Sequence, residues 1–289
     1  MLQGIIKSLR IKQWLKNGFL LAALIFDRQL TNFSAAVRIL GGMTIFSILS
    51  SSVYIFNDIF DAEADRKHPK KKNRPIASGK IKIRDATIFG IILAALSLYW
   101  AFTLSFAFFI ICLVYLFTNL LYSKWLKHVP LIDVMIIASG FVLRVAAGVT
   151  LIEVERFSPW MYVVTTLLAL YIGFGKRRAE LSLLSEEADQ HRRVFNGYTL
   201  EFLDQLITIV SGTTIVAYSL YTFSAPNLPE NHSMMLTIPF VIYGIFRYLY
   251  LIKVKKEGGA PEELVIRDIP LLSSLVLWGL SVLVIFYLT

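Results

Sequence analysis

The sequence predicts an all-α integral membrane protein. It reads as a nine-transmembrane-helix bundle in one domain over 1–289, with the amino terminus cytoplasmic, the carboxyl terminus outside and the chemistry on the cytoplasmic face. Three observations predict this. The chain is 56% hydrophobic with a mean hydropathy of +0.63, whereas a soluble domain is about 45–50% apolar. The excess falls in nearly uncharged runs of roughly 17–22 residues, long enough to span a bilayer core. Lysine and arginine gather in alternate loops between those runs.

In chain order the runs cover about 17–34, 38–56, 86–104, 105–122, 131–151, 159–175, 203–223, 234–252 and 270–288. Backbone this deep in hydrocarbon satisfies its polar groups by forming helix. The first run follows a basic stretch at 3–17, but it is long and lacks a small-residue cleavage site, so it reads as a retained span. The second ends in a crowd of acids and bases. The third and fourth are separated only by a tight turn near 103–105. The fifth opens at Asp133 and carries Arg144 inside it, and the sixth leads into the basic "GKRRAEL" (175–181). The last three are joined by a bland outer loop, "SAPNLPENHS" (224–233), and by an inner one rich in Gly and acids.

The net charge of +9 reports topology rather than affinity for nucleic acid, and no nucleic-acid partner is expected. All but five of the 29 lysines and arginines lie at the amino terminus or in the loops after the second, fourth, sixth and eighth spans. Arg28, Arg38 and Arg156 fall on the other side, and Arg144 and Arg247 fall within spans. The positive-inside rule makes the first set of loops cytoplasmic, and an odd number of spans agrees. Cys112 is the only cysteine and lies inside a span, which excludes a disulfide framework and a cysteine metal site. No internal repeat and no low-complexity tract is present.

The stretch "NDIFDAEADRKHPKKKNRPIASGK" (57–80) concentrates the chemistry. If helix continues through it, Asn57, Asp61 and Asp65 recur at i, i+4, i+8 on one face, with Asp58 beside them. Carboxylates clustered at a bilayer edge repel one another and need a cation. Oxygen-only ligands favour a hard ion such as Mg²⁺, which commonly also holds a phosphate. His68 lies past the stripe, so zinc is not expected. The second half supplies Arg66, Lys67, Lys70, Lys71, Lys72, Arg74 and Lys80. Arginine grips phosphate through a planar fork, and lysine is a mobile point charge. Acids for Mg²⁺ beside bases for phosphate suggest a diphosphate site. A solvated helix end followed by an ordinary positive-inside loop is the plainer alternative, and it fits the lysine run better than the spaced aspartates.

At these residues the chain resembles a known family. "NDIFDAEADRKHPKKKNRPIASG" is similar to the NDxxDxxxD signature of the UbiA superfamily of intramembrane prenyltransferases, including its RPxASG continuation. That family is also a nine-helix bundle, so the resemblance covers nearly the whole chain and implies a cytoplasmic catalytic cavity. Typical members join a polyprenyl diphosphate to an aromatic acceptor and carry a second aspartate-rich motif after the sixth span. Here that position reads "YIGFGKRRAELSLLSEEADQHRR" (171–193). Lys176 and Arg177 stand where the aspartates are expected, Glu180 follows one turn on, and Glu186, Glu187 and Asp189 are not in DxxxD form.

Three other stretches resemble the decaprenyl-phosphate phosphoribosyltransferase branch. They are "LRIKQWLKN" (9–17), with Ile11 in place of a proline, "GKRRAEL" (175–181) and "GGAPEELVIRD" (258–268). The resemblance implies transfer of 5-phosphoribose from phosphoribosyl diphosphate (PRPP) to a polyprenyl phosphate, with Mg²⁺, for arabinose donors of a cell wall. It implies a bacterial or archaeal inner membrane with the site facing the cytoplasm. Such a reaction gathers three anionic groups, which calls for more bases and fewer acids than prenyl transfer. The acceptor phosphate is already an anion, so positioning and electrostatics carry most of the catalysis.

The catalytic candidates are Asp58, Asp61, Asp65 and Glu180, and the metal candidates are Asn57, Asp58, Asp61 and Asp65. The substrate-binding candidates are Arg10, Lys16, Asn57, Lys67, Arg74, Tyr122, Lys127, Asp133, Arg144, Lys176 and Arg177. Several carry a second reading. Arg10, Lys12 and Lys16 around Trp14 form a phosphate clamp or a basic anchor with an interfacial tryptophan. Arg144, roughly 16 Å deeper than Asp133 on one helix, contacts an anionic substrate or partners an interior acid or carbonyl. Asp133 lines the site or caps its helix. Lys176 and Glu180 act on substrate or form a surface i, i+4 pair. Arg178 is expected to point outward. Glu262, Glu263 and Asp268 close the cavity, hold a second metal or lie in a solvated loop. Two other functions are weighed. One is aromatic prenyl transfer. The other is transport of a lipid phosphate or ion, which the one-sided placement of ionisable residues disfavours. The sequence leaves open whether the chain forms a homo-oligomer.

Overall fold

A computed structural model describes residues 2–68, 71–154, 158–184, 193–226 and 228–288. The described residues form helices and turns, with no strand among them. The order is α1 (Leu2–Ser8), a 3₁₀ segment (Ile11–Leu20), α2 (Leu21–Phe26), α3 (Phe33–Phe60), α4 (Ala62–Lys67), α5 (Ile83–Leu104), α6 (Phe106–Lys124), α7 (Ile132–Val149), α8 (Pro159–Leu184), α9 (Leu200–Ser224), α10 (Ile238–Lys253), α11 (Pro261–Arg267) and α12 (Ile269–Tyr287). Seven of these, counting Ser233–Lys253 as one, are long and apolar enough to cross a membrane. α8 has the length, at 26 residues, but not the composition.

Eight of the nine expected spans thus have a long helix. The first does not. In place of one helix over 17–34, the chain winds as 3₁₀ from Ile11 to Leu20 and as α from Leu21 to Phe26. It then turns through Asp27 and Arg28, whose φ is +56°. Asn32 opens α3 by accepting the Ala35 N–H at 3.2 Å. The expected turn near 103–105 is present. Ser105 alone is extended there, and its hydroxyl accepts the Phe108 N–H that starts α6.

The chain divides into two compact units, Met1–Lys127 with Leu143–Val154, and His128–Val142 with Glu155–Thr289. In the first unit α3, α5 and α6 pack around Ile39, Phe46, Leu49, Phe108, Cys112 and Tyr115. α5 buries Ala86, Gly90, Ala94, Ser97 and Ala101, a face of small residues that lets helices approach closely. The 3₁₀ segment is held along α3 by a run of serines. The Trp14 indole N–H donates to Ser51 at 3.0 Å, and Asn17 donates to Ser47 at 2.9 Å and Ser50 at 3.3 Å. Trp14 is therefore tied to α3 through its indole N–H. In the second unit α8, α9, α10 and α12 pack around Tyr171, Phe174, Leu203, Ile207, Tyr248 and Leu251.

Candidate functional site

In the first unit the acidic motif lies where α3 gives way to α4. Asp61 sits between the two helices, so the helix expected to run on unbroken is interrupted there. The hydrogen bonds nevertheless keep helical spacing, from Asp61 N–H to Asn57 O at 2.9 Å and from Asp65 N–H to Asp61 O at 2.8 Å. The polar stripe survives, but its members differ in burial. Asp58 and Asp65 are 3% exposed, whereas Asn57 and Asp61 are half-buried.

Every carboxylate of the stripe meets a base. Arg10 donates to Asp58 at 2.5 Å. Arg74 donates through one nitrogen to Asp58 at 3.0 Å and Asp65 at 2.6 Å, bridging the two buried acids. Lys127 donates to Asp61, which also accepts from the Asn57 amide at 3.2 Å. The bases arrive from separate parts of the unit. Arg10 joins α1 to the 3₁₀ segment with φ +50°, a left-handed conformation uncommon for a side-chain-bearing residue. Its guanidinium lies 5.0 Å from the centre of the Tyr54 ring. Arg74 is presented by the turn after a short 3₁₀ stretch, Lys71–Asn73. The chain then reverses at Gly79, whose φ of +77° suits a residue without a Cβ. Within that turn Ala77 is buried, and its carbonyl accepts from Arg66 at 3.3 Å.

The four oxygen donors Asn57, Asp58, Asp61 and Asp65 suit a hard divalent cation chemically. Among the described residues no three His, Cys, Asp or Glu side chains converge as a ready-made metal cluster. A cation would take these oxygens by exchange with Arg10, Arg74 or Lys127. Of the other candidates in this unit, Lys67 is exposed and makes no ion pair among the described residues. Lys16 and Tyr122 are half-buried. Arg144, 5% exposed, donates to Asn17 Oδ1 at 2.8 Å and the Tyr115 hydroxyl at 3.1 Å, with the Phe46 and Tyr115 rings 5.4 and 5.0 Å away. The Asn17 acceptor is a side-chain carbonyl, in keeping with the reading of Arg144 as partner to an interior acid or carbonyl, and the Tyr115 phenol is a second acceptor.

The second unit holds a separate cluster. Asp133 is fully buried in the first turn of α7. It accepts from Arg177 Nε at 2.6 Å and from the Tyr198 hydroxyl at 2.6 Å. Arg177, on α8, also donates to Glu180 at 2.6 Å. Burial first, and then the facing Asp133, raise Tyr198 above the usual tyrosine range, so it stays protonated and donates. The Tyr198 oxygen in turn accepts the Leu131 N–H at 2.6 Å. Lys176 is half-buried one residue before Arg177. Arg178 does not point outward as expected. It donates to Asp204 at 2.6 Å and to the Ile252 carbonyl at 3.2 Å. Asp268 caps α12 through the Leu271 N–H and pairs with Arg247 at 2.7 Å, and that pairing holds its carboxyl below the usual range. Glu262 and Glu263 lie in the first turn of α11. Glu186, Glu187 and Asp189 lie outside the described residues.

Asn17, Tyr115 and Tyr198 were not among the expected site residues. Asn17 at least sits in the basic "QWLKN" stretch, whereas Tyr115 and Tyr198 reach their partners only through the fold.

The family model described as the UbiA prenyltransferase family matches residues 18–263. A decaprenyl-phosphate phosphoribosyltransferase of Corynebacterium glutamicum is 30% identical over 99% of this chain and 87% of its own length. One from Mycolicibacterium smegmatis is 31% identical over 93% and 87%. Among solved structures, a UbiA homolog from Archaeoglobus fulgidus, bound to GPP and Mg²⁺, superposes with a TM-score of 0.72 at 20% identity, covering 96% of each chain.

Proposed function

Because this chain belongs to the UbiA prenyltransferase family and is an integral membrane transferase, we propose that it moves 5-phosphoribose from PRPP to a polyprenyl, decaprenyl-type phosphate. An acceptor phosphate oxygen attacks C1 of the ribose, the C1–O bond to diphosphate breaks, and diphosphate leaves with the bonding electrons. Arg10, Arg74 and Lys127 hold the diphosphate, and Asn57, Asp58, Asp61 and Asp65 hold Mg²⁺. When bound, that ion stabilises the charge of the leaving group. In the second unit, Asp133, Lys176, Arg177 and Glu180 are further substrate contacts. Residues 1–289 act as one transmembrane domain with its site toward the cytoplasm. The product feeds arabinose donors for a cell wall.

One observation carries the choice over aromatic prenyl transfer. Each acid of the first motif is matched by a base, and the position of a second acidic motif is occupied by Lys176 and Arg177, with Arg177 engaged by Asp133 and Glu180. That balance suits substrates with several phosphates. The names of the two full-length relatives support the same choice.

The test is transfer of label from ribose-labelled PRPP into the lipid phase by purified protein with decaprenyl phosphate. Lipid label is expected with Mg²⁺, lost with EDTA and reduced at least ~100-fold in Asp61→Asn, the scale of losing one preorganised electrostatic contact. No label, with consumption of a polyprenyl diphosphate and an aromatic acceptor instead, would assign the chain to the other branch.

A further inference from the structure

The acids at the break between α3 and α4 are already engaged. Asp58 receives both Arg10 and Arg74, Asp65 receives Arg74, and Asp61 receives Lys127. Three carboxylates face three bases, so these six side chains sum to zero formal charge. Two of the acids are 3% exposed, and the side chains of Arg10, Arg74 and Lys127 are 27%, 24% and 15% exposed. Charges so placed are screened less than fully exposed ones.

This balance sets the terms for any ligand. A free divalent cation meets no net negative charge. To gain carboxylate oxygens it must displace bases that then stand, still positive, beside it. A free diphosphate draws the bases away and leaves anionic carboxylates beside anionic phosphate oxygens. A cation and a diphosphate together remove both conflicts. The acids pass to the cation, the bases pass to the phosphate oxygens, and no charge is left facing its own sign.

We propose that Arg10, Arg74 and Lys127 make this site selective for a divalent cation–diphosphate pair over either ion alone, by exchanging carboxylate partners for phosphate partners. The inference rests on the metal-and-diphosphate reading above, and it adds that the bases compete with free metal. Lys127 is the cleanest probe. It reaches Asp61, the more accessible acid, from the residues just after α6, and its charge is removable without touching Arg74, which bridges the two buried acids.

The experiment is Mn²⁺ binding to the purified full-length protein, read by the electron paramagnetic resonance signal of free Mn²⁺, with and without inorganic diphosphate. In the wild type, Mn²⁺ binds weakly alone and at least about tenfold more tightly with diphosphate. In Lys127→Met, Mn²⁺ alone binds roughly fivefold tighter or more, since even an exposed ion pair is worth up to about 1 kcal/mol and this one is partly buried, and the enhancement by diphosphate shrinks. Lys127→Arg keeps the charge and behaves as the wild type, and Arg10→Gln repeats the Lys127→Met pattern at a second position. A merely structural role for Lys127 loosens binding or leaves it unchanged. Equal Mn²⁺ affinity in wild type, Lys127→Met and Arg10→Gln, with diphosphate still tightening all three, overturns the competition and leaves the metal reading standing. Failure of Mn²⁺ to bind under any of these conditions overturns both.

Discussion

A guanidinium buried within a membrane-spanning helix needs acceptors close at hand. Arg144 has Asn17 and Tyr115 among its partners, and Asn17 is in turn seated on Ser47 and Ser50 of α3. This makes Arg144 a latch on the segment that follows Arg10, rather than a group aimed only at substrate. The two ends of the latch differ in what their loss leaves behind. Asn17→Ala strands part of a buried charge and should destabilise the protein by about 2–4 kcal/mol, whereas Arg144→Met removes the charge itself, strands only neutral acceptors and should cost about 1–2 kcal/mol. Thermal unfolding in detergent checks the order, and the double variant should be no worse than Asn17→Ala. An Arg144→Met protein that melts far below Asn17→Ala contradicts the latch. The same neighbourhood shows what a sequence can reveal. The spacing of Asn57, Asp61 and Asp65 is local and survives the helix break. The Arg10–Asp58 and Arg144–Asn17 pairs join residues 48 and 127 positions apart, a distance over which spacing carries no information.

The element read least well from sequence is the first span. Hydropathy detects that 17–34 is apolar, but not that the backbone winds as 3₁₀ from Ile11 to Leu20, a length of such helix that only tertiary contacts sustain. The serines of α3 supply one set of contacts, and α7 supplies another. A Cβ on Gly148 would lie 2.2 Å from the Leu20 carbonyl oxygen, so α7 and the 3₁₀ segment touch backbone to backbone. Gly148→Ala should therefore destabilise by about 1–3 kcal/mol through overpacking. Gly41→Ala is the matched control. It lies in the interior of α3 with nothing within 4 Å of the added carbon, and it should gain up to about 1 kcal/mol from helix propensity. Melting temperatures moving in opposite directions would confirm that the close approach, not glycine as such, is what the first segment requires. The long helices were legible because each buries or exposes apolar side chains along most of its length. The winding was not, since it is imposed by neighbours.

For the whole molecule the first segment decides the topology. Ten residues at the 3₁₀ rise and six at the α rise extend about 29 Å, close to the ~30 Å of a bilayer core, whereas sixteen α-helical residues would reach only about 24 Å. The unusual winding thus gives a short segment the reach of a span. If it crosses, there are nine crossings and the termini face opposite sides, as the placement of basic loops predicts. If it does not, eight crossings return both termini to one side. A green fluorescent protein fused at the carboxyl terminus should be dark when the membrane is bacterial, and alkaline phosphatase fused there should be active. The same two reporters placed in the loop at 254–260 should give the reverse, because that loop carries Lys255 and Lys256. Fluorescence at the carboxyl terminus, with the amino terminus also cytoplasmic, would mean that Ile11–Phe26 enters the bilayer without crossing it. Arg10 would keep its bond to Asp58 in either case, since that contact lies within one unit. The fusions therefore test the reach of the 3₁₀ winding independently of the chemistry beside it.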